Sequence, residues 1–561
     1  MPENGDHTND VTMPGTTASG ALPDASPNGT PSGAVSPDMP SRDMTIHDDV
    51  RTTGRPVADG PSSAGGSACD SADDGDAIVS LTMPGRRRDA RRVIARRTLT
   101  VILSAALVVA LATGYVIGDI AGILSGPLTL DPVDRRDVPA ARTVRGAGII
   151  ADVDDTAAPD TAAVQRLVDA FGATDGVGDD WSAVVTDRTG ATLASHAVDT
   201  PREPASTLKT LTALAAASTL DMGSTLATET YLAQGTATPT LTLKGNGDML
   251  LSAGESDPDH VNGRAGLATL ARDTAAALAR RGITTVRLVY DDTLFGDDRY
   301  PATVADNNPD DLYYTAVSAL AVDGGRQWGG AGPVDPDLFH AYPTLSQTPA
   351  RDAADTFAAL LAADGIGVDG DPASGSAPDG TSPIASIESA TLSEIMAFTM
   401  RHSDNTLAEE FGRLTALAVG EENSPQGGTA AVRKTLTALG IDLTGLTMAD
   451  CSGLSTGSTV SADTLADVQT RNLNATGAAA AAEGLSIPGL VGTAATRAVS
   501  DETAGLLRVK TGSLGEVTSM AGTVTRLNGG TLAFAVVVNT PDDMAAARAA
   551  IDAFVDDLAR L

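Results

Sequence analysis

A run of 21 residues without a charge, Thr98 to Gly118 (TLTVILSAALVVALATGYVIG), divides this 561-residue chain into two unequal parts. As a helix rising ~1.5 Å per residue, it spans roughly the 30 Å hydrocarbon core of a bilayer. Arg86, Arg87, Arg88, Arg91, Arg92, Arg96 and Arg97 lie just ahead of it. A buried soluble helix does not need such a cluster, and arginines beside a span keep to the cytoplasmic side. A cleaved signal peptide starts near the N-terminus. The pattern therefore predicts a transmembrane signal anchor at 98–118 after a basic flank at 86–97. Ala110-Leu111-Ala112 resembles a small-residue cleavage site, which leaves processing open. The N-terminus is expected in the cytoplasm and everything after the anchor outside, with the membrane met through this one helix.

Residues 1–85 are rich in Pro, Gly, Ser, Thr and Asp and lack apolar periodicity. They predict a disordered cytoplasmic tail, and composition names no partner for it. A linker follows the anchor at 119–159, with Pro127, Pro132, Pro139 and Pro159. The formal net charge of −34 excludes nucleic acid as a partner, because phosphates attract basic surfaces. Cys69 and Cys451 define no disulfide framework and fall on opposite sides of the expected membrane. Cys451 reads as a buried, inert thiol.

From residue 160 onward the periodicity changes. Residues 160–173 suit a helix, and Trp181–Ser195 alternates around Arg188-Thr189-Gly190 as a hairpin does. The Ala/Leu-rich run from Ser206 reads as a buried helix. Residues 225–385 mix short strands (Pro239–Lys244, Thr285–Tyr290) with helices (Leu267–Arg281, Ala350–Ala363). Helices return at Thr391–Arg401 and Asn405–Val419. A meander follows at Leu506–Lys510, Val517–Thr525 and Thr531–Asn539, then a last helix at Pro541–Leu561. This order predicts an α+β fold split in sequence. One domain comprises 160–224 and 386–561, with 225–385 inserted as a module.

Lysine is scarce. Of 38 basic side chains only Lys209, Lys244, Lys434 and Lys510 are lysines, and arginine cannot lose its proton in a protein whereas a buried lysine can. Lys209 lies in Ser206-Thr207-Leu208-Lys209, and Lys510 opens Lys510-Thr511-Gly512-Ser513. Ser403-Asp404-Asn405 falls between. On a helix, Ser206 and Lys209 share a face one turn apart. Ser206 is expected at the helix N-terminus, where free N–H groups favour developing negative charge. Its hydroxyl needs a base, and Lys209 is one when neutral. Burial and a second cation both lower a lysine pKa, so Lys510 is expected charged where Lys209 is not. Ser403 is placed to relay a proton, and Asn405 to hold Lys209 and a substrate amide. Thr511, Gly512 and Ser513 offer a substrate-binding strand. The N–H groups of Ser206 and Ser513 suit an oxyanion hole. No cofactor is called for, and the six histidines form no metal-ligand spacing.

Each string alone is weak, but the ordered set occurs in penicillin-binding proteins and class A β-lactamases. The chain resembles the class C, type-4 penicillin-binding proteins, the D-alanyl-D-alanine carboxypeptidase/endopeptidase family. The resemblance covers roughly 160–561. It rests on Pro204–Thr210, Lys244–Asp248, Ala316–Leu320, Ser403–Glu409, Ser452–Ser455 and Val509–Leu514. Cys451 stands where that family usually has glycine, and Met249 where it usually has proline. The resemblance implies a transpeptidase-like serine domain, an antiparallel sheet flanked by helices and interrupted by a large insert. It also implies hydrolysis of the D-Ala-D-Ala bond of peptidoglycan stem peptides, often of cross-links too, and acylation of Ser206 by β-lactams. A β-lactamase would lack the insert and needs a Glu-x-x-Leu-Asn-type string after Asn405, which is absent. A non-hydrolytic sensor of penicillin or muropeptides is the alternative of another class. Gly453-Leu454-Ser455-Thr456-Gly457 matches the G-x-S-x-G elbow, but no strand leads into it and no helix follows. His402 reads as a capping or exposed residue.

Overall fold

The computed structural model describes residues 103–117, 157–233, 237–474 and 478–561. The expected tail at 1–85, the basic flank at 86–97, the ends of the expected anchor and most of the linker lie outside the described residues. Helix α1, residues 103–117, belongs to one unit of the chain (1–141), and all else that is described belongs to a second (142–561). The side chains of α1, among them Leu107, Val108, Val109 and Leu111, are exposed. Among the described residues no helix is long and apolar enough to cross a membrane.

The second unit opens with α2 (Thr161–Gly172), capped where Asp160 accepts the N–H of Ala162. Strands β1 (Trp181–Asp187) and β2 (Thr192–His196) form the expected hairpin. Its turn is built by one carboxylate oxygen of Asp187, which accepts the N–H groups of Thr189 and Ala191. A short 3-10 turn, Ala205–Leu208, leads into α3 (Lys209–Thr219). Next come β3 (Ala227–Ala233), β4 (Thr240–Gly245), β5 (Asp248–Leu251), α4 (Leu267–Ala279), β6 (Thr285–Asp291), β7 (Leu320–Val322), α5 (Pro349–Ala363), β8 (Gly367–Val368), β9 (Ala373–Ser374) and β10 (Ala385–Glu388). Five helices follow: α6 (Leu392–His402), α7 (Asn405–Val419), α8 (Pro425–Ala438), α9 (Ala462–Asn474) and α10 (Ala479–Glu483). The chain closes with β11 (Leu507–Leu514), β12 (Val517–Thr525), β13 (Thr531–Asn539) and α11 (Met544–Arg560).

Two sheets result. The first is antiparallel, in the order β11-β12-β13-β1-β2, so the N-terminal hairpin pairs with the C-terminal meander. Side chains alternate across a strand, and both faces are buried here. Along β13, Leu532, Phe534, Val536 and Val538 pack with Phe171 of α2 and with Ile551, Phe554 and Leu558 of α11. Ala535 and Val537 face the opposite core, which holds α3 and helices α6 to α10. The second sheet, β10-β3-β4-β6-β8 with β9 beside β6, has a separate apolar core with α4 and α5 around Leu241, Leu288 and Phe357. The fold is mixed α/β, and its first sheet brings β11 to an edge beside α3.

Candidate active site

Ser206 lies in the 3-10 turn just before α3, not in the α-helix itself. The turn enters through Ala205 at φ 49°, a left-handed conformation that costs a residue with a Cβ of order 1 kcal/mol. It is held because the Pro204 carbonyl accepts the hydroxyls of Thr207 (2.8 Å) and Ser519 (2.7 Å). The Ala205 carbonyl abuts Gly453, where a Cβ would come within 2.1 Å of it. Lys209 opens α3, a helix buried on all sides from Lys209 to Ala217.

Ser403-Asp404-Asn405 forms the joint between two helices. Ser403 closes α6 at φ 56°, and the Asp404 side chain caps α7 by accepting the N–H of Leu407. The capping chemistry of this string therefore also aims Asn405 at Lys209. The Asn405 amide nitrogen donates to the carbonyl of Tyr313 at 2.9 Å, which turns its Oδ1 toward Lys209. Asp404 is gripped by Arg326 at 2.6 Å.

These elements converge at Lys209 Nζ. It lies 3.0 Å from Ser206 Oγ, 2.6 Å from Asn405 Oδ1 and 2.9 Å from the carbonyl of Ser452. Two of those partners only accept. A neutral amine has two N–H donors and one lone pair. The two carbonyl oxygens take the donors, and the lone pair is left for the Ser206 hydroxyl. The Ser452 carbonyl is itself fixed by a tight turn around buried Asp450. The Asp450 carboxylate accepts the N–H groups of Ser452, Gly453 and Ser455 and the Ser452 hydroxyl. Ser455, the serine of the G-x-S-x-G match, is buried within this turn and is not presented on a strand-to-helix elbow.

Lys510 donates to Ser403 Oγ at 2.9 Å and to the Thr511 carbonyl at 2.8 Å. Val509 pairs both ways with Ser486 across the outer edge of β11. Because strand backbone alternates with a period of two, the N–H groups of Thr511 and Ser513 face that same open edge. Gly512 packs against the Ser206 turn; a Cβ there would lie 2.1 Å from Ser519 Oγ, 2.7 Å from the Pro204 carbonyl and 3.2 Å from Ser206 N. The strand thus approaches Ser206 as closely as backbone allows. Ser206, Ser403, Thr511 and Ser513 line one cleft of about 1220 Å³.

The two lysines depart from expectation in one respect. Burial lowers Lys209, to about 8, against the opposing charges of Asp450 and Asp404. Burial lowers Lys510 further, well below its usual range, aided by the positive charge of Lys209. Burial and a second cation together predict a neutral Lys209 beside a charged Lys510. Burial instead lowers both, and Asp450 and Asp404 favour Lys209 as the holder of the remaining proton. The sequence could not show this, since Asp450 lies far from Lys209 along the chain and reaches it only through the Ser452 turn. Its one local signal was an Asp two residues before Ser-Gly, the pattern of an Asx turn.

His402 is neither a cap nor fully exposed. It stacks on Phe339 at 4.3 Å and sits 2.9 Å from the Asp337 carbonyl, and burial pushes its pKa down. Histidine spacing gave no ligand set, yet folding brings His260 together with Asp335 and Asp337, their candidate ligand atoms within 4.8 Å of one another. Asp337 there already accepts the N–H groups of Val261 and Asn262.

A helix-covered antiparallel sheet, with a Ser-x-x-Lys turn, a Ser-Asp-Asn joint and a Lys-Thr-Gly edge strand meeting in one cleft, defines a penicillin-binding serine enzyme. The D-Ala-D-Ala carboxypeptidase 3 (S13) family matches residues 164–333 and 340–560, and the chain belongs to that family. It is 31% identical over 420 residues to a carboxypeptidase of Mycobacterium tuberculosis, covering 72% of this chain and 85% of that protein. It is 33% identical over 374 residues to carboxypeptidase DacB of Mycolicibacterium smegmatis, covering 65% and 77%. Penicillin-binding protein 4 from Haemophilus influenzae shares the fold, with a TM-score of 0.57 at 20% identity over 72% of this chain and 100% of that one. The chain is a serine-type D-Ala-D-Ala carboxypeptidase.

Proposed function

We propose that this enzyme hydrolyses the terminal D-Ala-D-Ala bond of peptidoglycan stem peptides, and peptide cross-links, through an acyl-enzyme on Ser206. The arrangement at Lys209 carries the reading: an amine held by two carbonyl oxygens with its remaining position on the Ser206 hydroxyl. Lys209 takes the Ser206 proton as Oγ attacks the carbonyl carbon of the penultimate D-alanine. The resulting oxyanion is received by the N–H groups of Ser206 and Ser513. Lys209 hands this proton on through Ser403, which is bonded to Lys510, to the leaving amine, and the C–N bond breaks to release D-alanine and leave Lys209 neutral. Water then attacks the ester, gives its proton back through Lys209, and restores Ser206. Thr511, Gly512 and Ser513 hold the substrate along the edge of β11. A substrate carboxylate arriving beside this strand favours the charge on Lys510 and so frees the amine of Lys209. Penicillins acylate the same hydroxyl and are inhibitors. The scheme uses no cofactor.

Residues 160–224 and 386–561 form the catalytic domain, and 225–385 the inserted module, which reaches the site through Tyr313 and Arg326. Residues 98–118 anchor the chain in the cell membrane by a single pass, with the N-terminus in the cytoplasm and the catalytic domain outside. The charge-free run, the arginines before it and the exposed apolar side chains of α1 support that placement. Protease shaving of intact cells tests it: the C-terminal part is expected to be cut and the tail protected.

The test of function is to incubate residues 131–561 with a D-Ala-D-Ala peptide and measure free D-alanine. Release supports hydrolysis. No release with stable penicillin labelling of Ser206 supports the non-hydrolytic sensor instead. No labelling at all refutes both.

A further inference from the structure

Arg548 lies one turn into α11 and is exposed on the wall of the same cleft. Its guanidinium donates to Ser513 Oγ at 2.9 Å. The chain has 72 Asp and Glu against 38 Lys and Arg. Among the described residues no ion pair engages Arg548, whereas its cleft neighbour Arg497 is tied to Asp552 at 2.6 Å. Lys510 is not an alternative cation for a ligand at this spot, being fully buried and committed to Ser403 and the Thr511 carbonyl.

Position tells what the free guanidinium would meet. A carbonyl attacked by Ser206 and held by the N–H of Ser513 has its leaving residue next to Ser513. One residue spans at most ~3.6 Å, which brings the α-carboxylate of that residue to the Ser513 hydroxyl and to Arg548. Guanidinium and carboxylate match as a planar, bidentate pair. We infer that Arg548 is a specificity-determining residue that binds the carboxylate α to the leaving amine, with the Ser513 hydroxyl holding the guanidinium in register. The inference rests on the functional reading above and adds the ligand group for a side chain that reading does not use.

The test compares Arg548→Gln and Arg548→Lys with wild type on two peptides, one ending in D-Ala-D-Ala and one ending in D-Ala-D-alaninamide. Arg548→Gln is expected to lower kcat/KM on the acid by ~10–100-fold, the range of a lost charge-assisted hydrogen bond. On the amide it should stay within about twofold of wild type, and Arg548→Lys should recover part of the loss on the acid. Equal losses on both peptides, or no loss on the acid, overturn the role of Arg548 alone. Wild type inactive on both peptides overturns the functional reading and this inference together.

Discussion

Replacing Lys209 by methionine removes the amine while keeping most of the volume of a side chain that is 1% exposed. The stability cost is worked from two opposing terms. Burial shifts Lys209 from 10.5 to about 8, a penalty of roughly 3 kcal/mol at neutral pH on conversion at 1.36 kcal/mol per unit. That penalty disappears in the variant. Against it, Asn405 Oδ1 and the Ser452 carbonyl each lose a donor, at ~1–3 kcal/mol apiece. The net change is a few kcal/mol at most, so Lys209→Met is expected to fold. Acylation by a labelled penicillin should nevertheless fall by ~10²–10⁴, the usual contribution of a general base. The wild-type acylation rate should rise with pH through about 8, where Lys209 loses its proton, and the slope should vanish in the variant. The linkage sign agrees. A lysine with a lowered folded pKa binds fewer protons folded than unfolded between about 8 and 10.5, so wild-type stability gains from that group as pH rises through this window. A folded Lys209→Met protein that acylates within threefold of wild type would refute the assignment of Lys209 as base.

Three further outcomes follow from the geometry. Asp248 and Glu410 are buried and each has a carboxyl oxygen without a partner; burial raises Asp248 to about 7 and Glu410 well above the usual range. Acids raised on folding cost stability as pH climbs from about 4 toward the folded pKa, so the Tm advantage of Glu410→Gln over wild type should widen between pH 5 and 8. A constant or shrinking advantage contradicts this. A Cβ built on Gly412 would lie 2.3 Å from Cys451 Sγ, so Gly412→Ala should cost ~1–3 kcal/mol by overpacking, and Cys451→Gly should rescue it; a denaturant double-mutant cycle with no coupling would show the two sites independent. The Cys451 thiol is pushed well up by burial, so peptide mapping after iodoacetamide should find it unlabelled until the protein unfolds, and labelling of the native protein would contradict that burial.

Much of the site was readable because its chemistry is local. Ser206 and Lys209 lie one turn apart, the capping string at Ser403 ends one helix and starts the next, and Gly512 leaves room where β11 meets the Ser206 turn. The hairpin at Arg188-Thr189-Gly190 was equally local, since Asp187 and Gly190 settle it within a few residues. The partners of these groups were not readable. Tyr313 orients Asn405 through its backbone carbonyl, which leaves no trace in residue type. Arg326, Asp450 and Arg548 act across gaps of tens to hundreds of residues, and nothing in their spacing marks them. Cys451, odd in sequence beside Ser452, is explained only by Gly412 and Gly428, which leave its sulfur space between α7 and α8.

The sequence by itself determined that an ionisable amine stands one turn from a serine, that a second lysine opens an edge strand, and that a charge-free run precedes the folded part. Those are properties of residue type and short spacing. Only the tertiary structure decided which lysine is better held as a cation. That depends on how deeply each is buried and on which carboxylates approach, and folding places Asp450 and Asp404 near Lys209 while leaving Lys510 with a hydroxyl and a carbonyl.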